Sequence, residues 1–145
     1  MNAISRYLFL AGALPFVVLG LVHALATPLD PEQERGLSPR DPSVRKAMQQ
    51  DSVLLTRRTT VWLGWVGFNL SHSLGAVLFG AVVLLIGRSQ AVFEAQATLF
   101  LPFAALISGL YLALAIRFWF RTPIIGLALS SACFLGSWAS FLLRG

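Results

Sequence analysis

Trp62-Leu63-Gly64-Trp65-Val66-Gly67-Phe68-Asn69-Leu70-Ser71-His72-Ser73-Leu74-Gly75 decides how the rest of the chain is read. It lies within an uncharged run of 27 residues, 61–87, and about 20 apolar residues suffice for a helix to cross a bilayer. The run nevertheless carries an amide, an imidazole and hydroxyls near its middle. Polar groups at that depth are costly and usually turn toward protein or a water-filled cavity.

Working outward, three further uncharged spans appear, so that spans are expected at about 7–27, 61–87, 95–116 and 122–143. None alternates apolar with polar residues at period two, which disfavours a membrane β-barrel. Charged residues make up 12% of the chain, about half the share of a typical soluble domain. The expected fold is all-α: a single integral membrane domain over residues 1–145, built as a four-transmembrane-helix bundle.

A net charge of +5 raises nucleic acid as a partner. The lysines and arginines sit in loops and at span edges, with no nucleic-acid-binding motif beside them, so no nucleic-acid partner is expected. Cys133 is the only cysteine and falls inside the last span; a lone cysteine there packs as a small hydrophobe.

The first span also reads as a signal peptide, with a short basic start and an Ala24-Leu25-Ala26 cleavage pattern. Its apolar run exceeds the usual signal core of about 7–15 residues, which favours a retained helix. On that helix Gly12, Phe16, Gly20, His23 and Thr27 share one face. Residues 28–60 form one long loop. Asp41 followed by Pro42 is a helix start, so a short amphipathic helix is expected from about Pro42 to Gln50. Its Val44, Ala47 and Met48 lie opposite Arg45 and Lys46, a pattern that suits either a membrane surface or a solvated linker.

On the second span Trp62, Trp65, Asn69, His72, Ser73, Ala76, Gly80, Val83 and Gly87 fall in one broad stripe. Gly64, Gly67, Ser71 and Gly75 fall on the other side. Small residues let membrane helices approach closely, so packing is expected on both sides, with Trp62 and Trp65 at the membrane interface. The aromatic run between Arg117 and Arg121 reads as an interfacial belt, and Thr122-Pro123 as the start of the fourth helix. Gly126, Ser130, Cys133, Ser137 and Ser140 form a seam on that helix for close contact. The first and third connections carry Arg35, Arg40, Arg45, Lys46, Arg57, Arg58, Arg117 and Arg121, against Arg6, Arg88 and Arg144 on the other side. This asymmetry places the long loop in the cytoplasm.

Gly20-Leu-Val-His23, Arg40-Asp-Pro-Ser-Val-Arg-Lys-Ala-Met48, Thr59-Thr-Val-Trp62, Gly67-Phe-Asn-Leu-Ser-His-Ser-Leu-Gly75 and Phe120-Arg-Thr-Pro-Ile-Ile-Gly126 together form one pattern. It resembles an uncharacterised family of small four-helix bacterial membrane proteins. The resemblance implies a four-span protein of the bacterial inner membrane and supplies no activity. In architecture alone the chain is also similar to the trimeric eicosanoid- and glutathione-metabolising membrane proteins, whose acidic second-helix motif is absent here.

Candidate site residues are His23, Trp65, Phe68, Asn69, His72 and Ser73. One reading is a buried polar cluster that fixes helix register. A second is the lipid or quinone pocket of a hydrophobic-ligand enzyme or carrier, with Trp65 and Phe68 as wall and Asn69 and His72 as polar anchors. A third is a haem or metal held by His23 and His72. Measured from the span centres, these two histidines differ in depth by about 6 Å, which weighs against shared ligation. No carboxylate lies within a span, and adjacent Ser71 and His72 do not face each other, so no catalytic residue and no metal ligand set are assigned. The expectation is a non-catalytic binding or accessory subunit of a larger membrane assembly or homo-oligomer. Its cofactor, if it has one, is not readable from the sequence.

Overall fold

The computed structural model describes residues 3–143; Arg144, counted above, and the first two residues of the basic start lie outside them. The elements are α1 (Ala3–Ala26), α2 (Pro42–Gln50), β1 (Ser52–Val53), β2 (Thr56–Thr60), α3 (Val61–Arg88), α4 (Gln90–Phe118) and α5 (Arg121–Leu142). Of these, α1, α3, α4 and α5 are long and apolar enough to cross a membrane. The all-α architecture of four long helices with a short one between the first two is therefore present, and it is that of a multi-pass membrane protein. Only 28% of the most apolar window of each long helix is buried, as expected where lipid covers the remainder.

Local chemistry explains the boundaries. The Asp41 carboxylate accepts the Ser43 N–H at 2.8 Å, with Pro42 at the first helical position, so α2 begins where the sequence indicates. No residue of α2 is buried. Ser89 caps α4 by accepting the Val92 N–H, and Thr60 Oγ1 accepts the Leu63 N–H in the first turn of α3. The β1–β2 hairpin has no counterpart in the sequence expectation. Ser52 pairs with Thr60 and Val53 with Thr56, and the Val61 N–H donates to the Asp51 carbonyl at 2.9 Å. Strand pairing thus runs straight into α3 with no linker.

The chain divides into two compact units, one comprising residues up to Leu19 and from Ala76 onward, the other Gly20–Gly75. In the first unit Phe9, Phe16, Phe93, Phe134 and Leu101 are fully buried. Phe9 meets Phe93 with ring centroids 5.3 Å apart and Phe134 at 5.8 Å, while Phe16 meets Phe79 at 4.6 Å and Tyr111 at 5.2 Å. The Phe9–Phe93 pair is tilted and the other three are edge-on; edge-on aromatic contacts add to simple burial. Gly80 brings α3 onto α1 so closely that a Cβ there would stand 2.6 Å from Val17 Cγ2 and 3.1 Å from the Ala13 carbonyl oxygen.

The expected seam on α5 is also in place. Ser130 donates to the Gly12 carbonyl of α1. Ser5 donates to the Ser137 carbonyl at 2.8 Å, and Ser137 returns the bond to the Ser5 carbonyl at 2.7 Å. Small side chains here permit both close approach and hydrogen bonding to backbone, the two attractions available between helices in lipid.

In the second unit α2, the hairpin and the ends of α1 and α3 are held by polar contacts instead. Arg45 Nη1 donates to the Pro39 carbonyl at 2.8 Å, and its Nη2 pairs with Glu34 at 2.9 Å.

Buried positions along α3 are Trp62, Val66, Asn69, Ser73, Ala76, Gly80, Val83 and Gly87. The alternating steps of four and three are the 3.5-residue repeat of a single packing seam. Two-sided packing is therefore corrected: Gly64, Gly67, Ser71 and Gly75 are exposed, because one seam covers only one stripe of a helix. Trp62 is buried within the chain, 2% exposed.

Candidate functional site

The six candidate residues all fall in the second unit, at the C-terminal end of α1 and the N-terminal half of α3. Asn69 is the centre. Its residue is only 5% exposed, so both ends of its amide require partners. The amide nitrogen donates to the Trp65 carbonyl one turn back, at 2.8 Å. A carbonyl only accepts, which fixes the flip of the amide and leaves Oδ1 facing His23. His23 Nε2 lies 2.9 Å from that oxygen. Since Oδ1 is an acceptor, His23 must carry its hydrogen on Nε2 and donate.

Surrounding hydroxyls close the cluster. Ser73 Oγ donates to the Asn69 carbonyl at 2.9 Å, and Thr27 Oγ1 to the His23 carbonyl at 2.9 Å. Thr27 is fully buried, and its N–H also returns to the His23 carbonyl at 3.1 Å. The last turn of α1 is thereby capped in the same place that His23 is anchored.

His72 lies beside the pair, its ring centroid 5.2 Å from that of His23 in an edge-to-face arrangement. The depth difference expected from the sequence does not keep the two rings apart: the helices differ in length, and the His23–Asn69 bond sets their register. Phe68 stacks over His72 with centroids 6.4 Å apart and planes inclined by 15°. It is 69% exposed, so it faces outward from the chain. Trp65 is half-buried and meets Trp62 at 5.3 Å. Sequence reading undervalued Trp62, whose Nε1 is buried without a hydrogen-bond partner among the described residues. Its place in the seam with Val66, Asn69 and Ser73 was the available signal.

The arrangement constrains the chemistry. Among the described residues no group of three or more His, Cys, Asp or Glu side chains comes together. Two axial haem ligands must present lone pairs to opposite faces of one macrocycle, whereas the His23 and His72 rings meet each other edge to face with centroids 5.2 Å apart. Ser71 Oγ is bonded to the Phe68 carbonyl at 2.9 Å and Ser73 Oγ to that of Asn69. Neither hydroxyl is arranged as a nucleophile activated by His72.

The chain matched no family model, no curated protein and no solved structure.

Proposed function

We propose that this protein is a non-catalytic accessory subunit of a larger membrane assembly, with the His23–Asn69 cluster locking its first span to its second. The observation that carries this reading is closure. Asn69 uses both ends of its amide inside the protein, on Trp65 and His23, and the nearest hydroxyls are bonded to backbone. A cluster so occupied fixes helix register and leaves little polar capacity for a ligand.

The surface offered to the assembly is the uncovered side of α3. Nothing lies within 4 Å of where a Cβ would sit at Gly67, and Gly64, Ser71 and Gly75 are exposed beside it. A small-residue face open to lipid is where a neighbouring membrane helix approaches most closely. The same reading sets the protein in a bacterial inner membrane with its long loop in the cytoplasm. Eight of the basic residues lie on the loop side of the spans and three on the other.

Mild extraction from native membranes, followed by mass measurement of the particle, tests the proposal. A particle larger than one chain is expected, and Gly67→Leu should reduce it to the single chain without altering thermal stability. A wild-type protein that is monomeric and carries a stoichiometric lipid or quinone, lost in His72→Ala, would replace this reading with the hydrophobic-ligand one.

A further inference from the structure

The long loop contains an open cleft of about 310 Å³, lined in part by Glu34, Arg35, Gly36, Ser38, Arg40 and Arg45. Three guanidinium groups stand there against one carboxylate. That carboxylate is already taken: Glu34 pairs with Arg45 at 2.9 Å. Arg45 also holds the Pro39 carbonyl, and its side chain is only 12% exposed, so it acts as part of the cleft wall. The remaining positive charge belongs to Arg35 and Arg40, both exposed. Arg40 makes no hydrogen bond or ion pair among the described residues. Arg35 makes only a long side-chain bond of 3.4 Å, to the Leu25 carbonyl.

The cleft is preformed. Ser38 Oγ accepts the Arg35 N–H at 3.0 Å and donates to the Gln33 carbonyl at 2.8 Å, and the Ser38 N–H returns to the Arg35 carbonyl at 2.8 Å. These bonds hold the turn that carries Arg35. The turn is tied to the end of the first span, because the Leu37 N–H donates to the Ala26 carbonyl at 3.1 Å. Gly36 sits so near Ala26 that a Cβ would lie 3.4 Å from that methyl group. The cleft is thus fastened to the C-terminal end of α1, a helix long and apolar enough to cross a membrane, and the ends of such a helix reach the headgroup region. Leu25, whose carbonyl meets Arg35 of the cleft, is 71% exposed.

We propose that this cleft binds a phosphate, and that the phosphate is the headgroup of an anionic phospholipid. Arg35 and Arg40 supply the charge-assisted hydrogen bonds that guanidinium forms with phosphate oxygens. The exposed Leu25 offers apolar contact to the attached chains. A soluble phosphate satisfies the arginines and leaves Leu25 uncovered.

The test uses the full chain in a neutral detergent, titrated with dihexanoyl phosphatidylglycerol, dihexanoyl phosphatidylcholine or inorganic phosphate. Saturable binding is expected for phosphatidylglycerol, at least about tenfold tighter than for either other probe. Replacing both arginines (Arg35→Gln with Arg40→Gln) should weaken it by about tenfold or more, as removal of charge-assisted bonds does. The pair Arg57→Gln with Arg58→Gln removes equal charge from the hairpin and should leave binding within about twofold. Inorganic phosphate binding as tightly as phosphatidylglycerol, and lost in the first pair alone, would uphold the phosphate site and overturn the lipid as its source. Absence of binding, or equal loss in both pairs, would overturn the site.

Discussion

The two units of this protein reach order by different means. In the unit built from the first part of α1, the last part of α3, α4 and α5, aromatic rings fill the interior and glycines bring backbones together. In the unit Gly20–Gly75 the contacts that specify structure are polar: His23 on Asn69, Thr27 on the end of α1, Arg45 on Glu34 and Pro39. Packing in lipid depends on the fit of many atoms, whereas a single interhelical hydrogen bond contributes on average only about 0.6 kcal/mol and at most about 1.7. The first unit should therefore carry most of the stability, and the second most of the specificity of register.

The largest effect is expected from Phe134→Ala, which empties the meeting point of Phe9, Phe16 and Phe79. Removal of a buried phenyl ring costs about 3–5 kcal/mol, readable by unfolding in mixed micelles. Next comes Gly80→Ala. Its methyl group would press on the Ala13 carbonyl and the Val17 nitrogen, 3.1 and 3.2 Å away, and backbone yields less readily than a side-chain tip. About 1–3 kcal/mol should be lost.

Asn69→Ala should cost less, within the range up to about 1.7 kcal/mol, although it frees the Nε2–H of His23. A double-mutant cycle of His23→Ala with Asn69→Ala should return a coupling energy of similar size. If Asn69→Ala proves more damaging than Gly80→Ala, the division of labour between the units is wrong.

The smallest effect concerns Asp41, which is fully exposed. Hydrogen bonds from the Ser43 hydroxyl and then its N–H, with the charge of Arg45, hold its carboxyl below the ordinary aspartate range against a small opposing effect of burial. Because the folded value is depressed, its contribution to α2 is complete above the ordinary carboxylate range. It fades as pH falls through the depressed value. An NMR titration of the Ser43 amide should show a midpoint below that of free aspartate; one at or above it would remove Asp41 as an effective cap.

Much of this arrangement was legible in the residues. Long uncharged runs specify helices in lipid because unpaired backbone has no partner there, and Asp41-Pro42 specifies the start of α2 by cap chemistry. The hairpin was not legible. Its turn residues Leu54 and Leu55 offer neither glycine nor asparagine, and no residue with positive φ occurs among those described. The usual turn signal was absent, and a two-residue strand is too short to show alternation.

The sequence by itself determined the number of spans, the loop between the first two, and the faces of α1 and α3 that bear His23, Asn69 and His72. Only the tertiary structure decided that His23 meets Asn69, that Phe68 turns outward, and that one side of α3 stays uncovered. Periodicity assigns a residue to a face of its helix, but the slide of one helix along another changes no local pattern. That slide is set by which atoms meet, here by a donor on one span and an acceptor on the next.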